Sequence, residues 1–479
     1  MNSNKNINQT IEKIFLVVSM LVLIYVLLFN DNSNYSNLYF LPLCYFIFFS
    51  VLFLSNKHRN TTNYRSGIAY IIAITIIFIR YVITPMTIIY TGNYSGIGVN
   101  YNKNDLDFAI LLMIIELLMV MLTINVAVFY YSNQGIKKNH KENALKSEIQ
   151  RTPLNITLIM FTVLSILLIS ILNYQLLIPQ DIFMLNSNFI SPSSEEKLSG
   201  GIYVLANLIK TILLLACLSL LKYQYDKKLK SRYILLSFAI SILYMGMMTS
   251  TKRWDMLFSA ILCLFVLKHL YKKLPKIIFI SVISLMLVSI ISISAYKFSW
   301  YIIGSLNPMQ DIISYLLEGF QAYFSGPRNV AQAIGMKEIF DSRITVVTLI
   351  NDFLGSVPIL SNWINQSDRI NIYFNLYNNL STPSQIIPMV GIGYSYFPLL
   401  SPIFSMLCEW YVVKLDYSMQ KDNRIEFKFI YFNLTLYLAM CMGFNTQIIF
   451  SAFITKFLPL YILFSLNRKI VLRAKQKSS

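Results

Sequence analysis

The sequence predicts an all-α, polytopic membrane protein. Of its 479 residues, 56% are hydrophobic and 14% aromatic, whereas only 13% are charged, a balance that excludes an ordinary soluble globular protein. Apolar runs recur along the whole chain with the length of about 20 residues that a helix needs to cross a bilayer. The formal charge of +18 is spread over short segments between these runs. We therefore expect a lipid bilayer as partner and exclude nucleic acid.

Twelve apolar runs qualify as membrane-spanning helices. They cover about 12–30, 38–54, 67–90, 107–131, 154–172, 202–221, 233–249, 254–270, 277–296, 391–413, 427–444 and 447–466. The first run resembles a signal peptide, but it continues into Phe29, Asn30 and Asp31 without a small-residue cleavage site. We expect it to be a retained membrane anchor.

The positive charges predict the orientation of the chain in the membrane. With the N-terminus inside, 28 of the 40 Lys and Arg residues fall in cytoplasmic segments, as the positive-inside rule requires. Both termini are then cytoplasmic in a multi-pass protein of the cytoplasmic (inner) membrane. Residues 1–296 hold nine helices, 297–390 form a large extracytoplasmic loop, and 391–479 hold three helices and a basic tail.

The large loop has a sequence pattern of its own. Apolar residues at helical spacing predict an amphipathic helix over 307–325, with Asn307 as N-cap and a stop at Ser325-Gly326-Pro327. A second apolar pattern covers 345–354. We expect the loop to be folded and to lie against the membrane surface, and long loops with secondary structure often carry function.

Three basic residues are the predicted catalytic cations. Lys252 and Arg253 occupy a very tight outer turn, where two adjacent cations make an anion site and arginine can bind phosphate oxygens in pairs. The alternative is a pair of snorkelling residues balanced by Asp255. Arg328 follows the Gly326-Pro327 bend, which would turn its guanidinium toward the membrane; the alternative is a solvated loop arginine.

Two cations within predicted spans are further candidates for substrate contact. Arg80 and Lys210 lie in apolar runs, where an isolated charge is costly and therefore faces a partner or a water-filled cavity. Internal ion pairing is the alternative, and Arg80 could pair with Glu116 on the next span.

Three more substrate-binding candidates lie in or beside the loop. Arg343 and Arg369 are loop cations, and the alternative for each is an ordinary solvated charge. Tyr396 stands at the outer mouth of the tenth predicted span, where the alternative is an interfacial aromatic residue.

Common enzyme signatures are missing from the sequence. It contains no Walker A motif, no G-x-S-x-G and no H-E-x-x-H, and its five cysteines all fall in apolar runs without a C-x-x-C pair. We expect no metal and no cofactor, and a reaction that uses cations to activate a phosphorylated leaving group. Four acidic residues could act as an outer base, and the sequence does not rank them: Asp255, Asp311, Glu318 and Asp341.

The architecture and three short stretches resemble the oligosaccharide repeat-unit polymerases of bacterial O-antigen and capsule synthesis. The stretches are 248–254, which ends in Lys252-Arg253-Trp254, the aromatic-Ser-Gly segment 323–327, and 391–397 after the loop. The family's Arg-x10-Gly loop pattern is not matched, because eleven residues separate Arg343 from Gly355.

The resemblance implies a GT-C-like membrane fold and a metal-independent glycosyltransferase. Its donor and acceptor would be undecaprenyl-diphosphate-linked glycans, joined into O-antigen or capsular polysaccharide on the outer face of the membrane. It also implies a chain-length regulator and a flippase of the same pathway as partners, with Lys252, Arg253 and Arg328 binding the diphosphate. Two alternatives stay open, a lipid-linked oligosaccharide flippase and an O-antigen ligase.

Overall fold

The computed structural model describes a helical protein. The described residues are 3–59, 67–91, 103–142, 152–153, 155–177, 200–247, 253–271, 275–278, 280–288, 317, 321–358, 360–379 and 385–478. Within these ranges the regular elements are α-helices, short 3-10 turns and two π-helical turns. The α-helices in chain order are α1 (Ser3–Phe29), α2 (Phe40–Arg59), α3 (Ile68–Phe78), α4 (Thr84–Thr91), α5 (Lys103–Glu142), α6 (Ile156–Asn173), α7 (Gly200–Lys228), α8 (Arg232–Gly246), α9 (Arg253–Leu270), α10 (Pro327–Phe340), α11 (Val346–Leu354), α12 (Ile370–Tyr377), α13 (Met389–Tyr396), α14 (Ile403–Lys421), α15 (Ile425–Ala439), α16 (Thr446–Ala452) and α17 (Leu458–Ser478).

Within the described part of the chain, seven helical segments are long and apolar enough to cross a membrane. They are Gln9–Phe29, Ser33–Leu54, Ile68–Thr91, Lys103–Asn133, Ile156–Asn173, Gly201–Lys228 and Thr446–Arg473. Two further apolar helices, Arg232–Gly246 and Lys276–Val288, are shorter. The protein is therefore an all-α membrane protein, and the prediction of twelve spans stays a prediction beyond these seven.

The tenth predicted span, 391–413, is not one helix. It is divided into α13, a 3-10 turn at Pro398–Leu400 and α14. The break follows from Pro398, because a residue before proline avoids the helical region, and Phe397 has φ −138° and ψ 74°. The eleventh predicted span is also shorter than expected, since α15 ends at Ala439.

The chain forms two compact units. The first comprises 1–145, 309–420 and 435–451, and the second comprises 146–308, 421–434 and 452–479. In the first unit α10 packs along α5, α12 and α13, around a core that includes Ala333, Met336, Phe374 and Ile392. The carboxylate of Asp416 accepts the backbone N–H groups of Gly67 (2.7 Å) and Ala69 (3.2 Å), which caps the first turn of α3.

The second unit packs α7 against α6 and α8, and α8 against α9. Its core includes Ile169 and Ile209, and the rings of Phe265 and Phe432 stack with centroids 4.0 Å apart. Arg468 forms an ion pair with the buried Glu426, with Nε 2.6 Å from Oε1. Ion pairs of this kind fix the mutual position of apolar helices, because hydrophobic packing alone is not directional.

The two helices predicted in the loop have different outcomes. Most of 307–325 lies outside the described residues, and only 317 and 321–323 are described there as helical. The second predicted helix, 345–354, is present as α11, with Thr345 as N-cap in a capping box with Thr348.

Candidate functional site

The candidate cations of the second unit do not form a described cluster. Lys252 lies outside the described residues, and Arg253 begins α9 with a side chain that also lies outside them. Lys210 donates a hydrogen bond to the carbonyl of Met247 (2.8 Å). The anion site predicted at Lys252 and Arg253 therefore stays a prediction.

Arg328 lies at the start of α10, directly after a sharp reversal of the chain. Ser325 has a φ of 50°, in the left-handed region, and the N–H of Gly326 donates to the carbonyl of Gln321 at 2.8 Å. This is the Schellman ending of a helix, in which the left-handed position is usually a glycine. The sequence placed the bend at Gly326 and Pro327, but the reversal occurs one residue earlier, at Ser325.

Gly326 is required for close packing. A Cβ at this position would lie 2.6 Å from Cγ of Gln321 and 3.2 Å from Cγ2 of Thr84 on α4. Nearby, the carbonyl oxygen of Tyr323 would lie 2.3 Å from a Cβ on Gly443. The segment 323–326 is thus wedged against a candidate membrane-crossing helix and against residue 443. Arg328, two residues further on, is only 4% exposed.

Residues 440–445, which we call the buried turn, interrupt the helical structure between α15 and α16. The carbonyl of Met442 accepts a hydrogen bond from Nη1 of Arg80 (3.3 Å). The side chain of Asn445 caps α16 by accepting the N–H of Ile448 (2.9 Å), and its Nδ2 donates to Asn371 (3.4 Å). The buried turn therefore connects Arg80, the segment before Arg328 and helix α12.

Arg80 is held in an internal ion pair. Its Nη2 lies 3.0 Å from Oε2 of Glu116 and both side chains are 0% exposed. Arg80 sits in the π-helical turn Ile79–Ile83 that joins α3 to α4. Glu116 also accepts hydrogen bonds from the hydroxyls of Tyr81 (3.3 Å) and Ser405. The predicted pairing of Arg80 with Glu116 is confirmed, whereas contact of Arg80 with a substrate stays a prediction.

A second arginine and carboxylate meet at Asp352, on α11. Its Oδ1 accepts the backbone N–H of Ile370 (3.1 Å) and its Oδ2 accepts the hydroxyl of Tyr396 (2.9 Å). The amide of Gln447 donates to Oδ1 as well. Nε of Arg369 lies 4.0 Å from the same oxygen, and the two side chains differ in exposure, at 1% for Asp352 and 18% for Arg369.

The guanidinium of Arg369 is oriented by two amides besides Asp352. Its Nη1 donates to Gln366 (2.8 Å) and its Nη2 to Oε1 of Gln447 (2.9 Å). Gln447 thus bridges the carboxylate and the guanidinium. Two of the predicted substrate-binding residues, Arg369 and Tyr396, are brought together at Asp352, although 27 positions separate them in the sequence.

The protonation of Asp352 is shifted by its surroundings. Burial raises the pKa of Asp352 to about 6, although the hydrogen bonds from Tyr396 and Ile370 and the charge of Arg369 act in the opposite direction. Burial also lowers the pKa of Arg369. A carboxyl group that titrates this close to neutral pH is a frequent property of functional sites.

A second carboxylate lies behind the first. Asp368 accepts hydrogen bonds from the hydroxyl of Tyr373 (2.5 Å), from Thr348 (3.3 Å) and from Asn351 (3.3 Å). Burial and this carboxylate raise the pKa of Tyr373 to about 12. The polar face of α11, formed by Thr348, Asn351 and Asp352, is therefore fully engaged in side-chain hydrogen bonds.

The sequence missed the carboxylates that the structure brings into the site. Among its four candidate bases, Asp255 forms an ion pair with Lys456 (3.3 Å), Asp341 stands on an exposed 3-10 turn, and Asp311 and Glu318 lie outside the described residues. Asp352 was passed over because α11 was interpreted only from its apolar residues. The spacing i, i+3, i+4 of Thr348, Asn351 and Asp352 places three polar groups on one helix face, and this signal could have found it.

Arg343 lies at the edge of this cluster, where its positive charge acts to lower the pKa of Tyr373. It ends the 3-10 turn Asp341–Arg343 and is exposed, with its guanidinium 5.9 Å from the ring centre of Phe340. Only its backbone carbonyl reaches the polar face of α11, where it accepts the hydroxyl of Thr348 (2.9 Å).

The described site therefore has two parts, joined by the stretch 440–447. One part holds the buried Arg328 in the first turn of α10, and the other holds Arg369 on a framework of Asp352, Gln447 and Tyr396. Arginine and the N–H groups at a helix N-terminus bind anions, and a guanidinium set among amides suits phosphate or sugar oxygens. Comparison of this chain with protein-family models, with curated proteins and with solved structures found no match.

Proposed function

We propose that this protein polymerises oligosaccharide repeat units carried on undecaprenyl diphosphate, at the outer face of the cytoplasmic membrane. It would be a metal-independent glycosyltransferase that makes O-antigen or capsular polysaccharide. The proposal rests on the sequence resemblance and on the placement of one residue, Arg328.

The position of Arg328 suits a lipid-linked diphosphate. Such a substrate carries its negative charge at the end of a hydrocarbon chain, so its binding site must offer positive charge beside a membrane-crossing helix. The turn before Arg328 contacts Thr84, which is seven residues from the end of the span Ile68–Thr91. At 1.5 Å per residue this is about 10 Å from the end of this candidate membrane-crossing helix.

The N-terminus of α10 adds to the positive potential at this place. Its N-cap is Gly326 and its first residue is Pro327, so neither residue supplies a capping side chain to the first turn of the helix. The helix dipole and the guanidinium of Arg328 then act on the same region. A phosphate group is the kind of anion that such an arrangement stabilises.

Arg369 supplies the second contact, with Asp352 as its positioning residue. Asp352 is too deeply buried to touch a substrate, but it orients Arg369 and the amide of Gln447. Gly443 packs against the carbonyl of Tyr323, in the segment before Arg328. The amide oxygen of Gln447 accepts a hydrogen bond from Arg369. Gly443 and Gln447 are four residues apart, so at most about 14 Å separates these two contact points.

The proposed reaction is a transfer of the growing glycan. A hydroxyl of the acceptor sugar bonds to the anomeric carbon of the donor, the bond from that carbon to the carrier breaks, and undecaprenyl diphosphate leaves with the electron pair. The hydroxyl proton is taken up by the released diphosphate. Arg328, with the predicted pair Lys252 and Arg253, would stabilise the charge that develops on the leaving group.

Deletion of the gene tests the reaction and separates it from the two alternatives. Surface polysaccharide and carrier-linked intermediates would be compared by gel electrophoresis and mass spectrometry. A polymerase predicts that single repeat units replace the long polymer outside the membrane. Carrier-linked polymer would indicate a ligase, units retained inside would indicate a flippase, and unchanged polymer would refute all three.

Replacement of Arg328 tests the residue. We expect Arg328→Ala to abolish chain extension while the protein still inserts into the membrane, because the positive charge at the diphosphate is lost. Arg328→Lys should retain part of the activity, since lysine keeps the charge but not the paired donors. The matched control is Arg473→Ala, which removes an exposed arginine of α17. Polymer of normal length from Arg328→Ala would rule out the assigned role.

A further inference from the structure

Helix α11 exposes its apolar face and buries its polar face. Val346, Val347 and Ile350 are 71%, 59% and 49% exposed, whereas Thr348 and Asp352 are both 0% exposed. A helix on the surface of a water-soluble domain has the opposite arrangement, with apolar residues toward the core. Exposed valine and isoleucine side chains on one face therefore mark a surface that is covered by something other than water.

The rotation of α11 is fixed by directional bonds. The capping box between Thr345 and Thr348 sets its first turn, and Asn351 donates to Asp368 while Asp352 accepts from Ile370. Turning the apolar face inward would break all of these bonds and leave a carboxylate facing outward. The outward direction of Val346, Val347 and Ile350 is thus a consequence of the polar network.

The neighbours of α11 place it beside a membrane-crossing helix. The ring of Phe353 meets the ring of Phe450 edge to face, with centroids 5.2 Å apart, and Gln447 donates to Asp352. Gln447 and Phe450 belong to the first two turns of the span Thr446–Arg473. Helix α11 therefore contacts the first two turns of a candidate membrane-crossing helix.

An exposed tryptophan follows the helix. Trp363 closes the 3-10 turn Leu360–Trp363 and is 80% exposed. This turn lies in the segment between α11 and α12. Tryptophan is enriched where membrane proteins pass from hydrocarbon to headgroups, because its ring is apolar and its N–H is polar.

We infer that α11 lies in the interfacial layer of the bilayer, with Val346, Val347 and Ile350 inserted among the lipids and Trp363 at headgroup level. Lipid is the occupant that fits an exposed apolar face beside the first turns of a candidate membrane-crossing helix, followed in the chain by an exposed tryptophan. Since Asp352 lies on the opposite face of the same helix, the bilayer surface would hold the Asp352 and Arg369 framework at headgroup depth. This inference does not rest on the proposed function, because it concerns lipid contact and no reaction.

Fluorescence of single-tryptophan proteins in a bilayer tests the inference. The full chain would carry Trp254→Phe, Trp300→Phe and Trp410→Phe, which leaves Trp363 as reporter, in nanodiscs of phosphatidylcholine with bromine near the headgroup or deep in the chains. We expect blue-shifted emission, stronger quenching by shallow than by deep bromine, and weak quenching by iodide. A second reporter with Trp363→Phe and Val347→Trp should be quenched more strongly by the deeper bromine.

A matched control keeps the outcome clear. Ser342→Trp, with the four native tryptophans replaced, puts the reporter on the exposed 3-10 turn Asp341–Arg343 and should be quenched by iodide. Water-like emission at Trp363 and position 347, without quenching by bromolipid, would overturn the inference. Blue-shifted emission without bromolipid quenching would overturn it as well, because a second copy or another protein would then cover the face. Neither outcome depends on glycan transfer.

Discussion

Among the described residues, two arginine–carboxylate pairs of the first unit are built in opposite ways. Arg80 and Glu116 form a direct contact of 3.0 Å with no exposure on either side, on two candidate spans. Arg369 and Asp352 are 4.0 Å apart, and only the carboxylate is fully buried. We call Arg80 and Glu116 the closed pair, because neither side chain is exposed, and Arg369 and Asp352 the open pair, because the Arg369 side chain is 18% exposed. We therefore expect Arg80 to be structural and propose that Arg369 binds the substrate.

The largest expected effect comes from breaking the closed pair. Arg80→Leu should destabilise the protein by about 3–5 kcal/mol, because it leaves Glu116 as an uncompensated buried charge. The double variant Arg80→Leu/Glu116→Leu should recover most of this loss, since replacement of a buried pair by apolar residues is often close to neutral. Thermal unfolding in detergent measures both variants.

The double variant also separates structure from function. If Arg80 is structural, the double variant should still extend polysaccharide chains once it is folded. A stable double variant without polymer would contradict the assignment and return Arg80 to the substrate-binding residues that the sequence predicted.

The open pair should respond to pH. The pKa of Asp352 is about 6 in the folded protein, above the value of about 3.9 in an unfolded chain. The folded state therefore binds more protons between these values, and the stabilisation is present below about pH 4 and lost as pH rises through 6. Asp352→Asn cannot ionise, so at pH 7 we expect it to be more stable than the natural protein by an amount on the order of 3 kcal/mol.

The same variant should lose function. Without the negative charge Arg369 is oriented only by Gln366 and Gln447, and polymer length should fall although stability rises, as is common at functional sites. Unfolding temperatures of the two proteins should separate as the pH rises from about 4 to about 6 and stay apart at pH 7. Asp226→Asn, which removes the carboxylate of a pair with Lys222 on α7, controls for the change in net charge. Parallel curves for Asp352→Asn and the natural protein would contradict the shift.

Much of the helical framework could be predicted from the sequence, because span length and apolar composition are local properties. The predicted span 202–221 lies within α7, and the loop helix predicted over 345–354 is α11. The helix break at Phe397 could also have been predicted, since Pro398 follows it. The buried turn could not be predicted, because an apolar run has the same composition whether it ends at the surface or inside the protein.

The site itself could be predicted only in part. Arg369 and Tyr396 were predicted as separate residues. Their contact with Asp352 depends on the tertiary packing of four segments, which contain Asp352, Arg369, Tyr396 and Gln447. Hydrophobic periodicity indicates which residues avoid water. It carries no information about which buried polar groups bind one another. The framework around Asp352 and Arg369 is built from hydrogen bonds of this kind.

The smallest expected effect concerns the support of the open pair. The closed pair rests on two long helices, whereas Asp352 rests on α11, a helix of nine residues that begins with the capping box of Thr345 and Thr348. Thr345→Ala removes the cap and should cost about 1 kcal/mol. We expect faster hydrogen exchange in 346–354, with little change in α5 around Glu116, because local opening of a short helix does not require the spans to open. Thr345→Ser, which keeps the hydroxyl, should restore the slow exchange. An equal increase in both regions would show that the two pairs belong to one cooperative structure, and the distinction between a closed and an open pair would then have to rest on exposure alone.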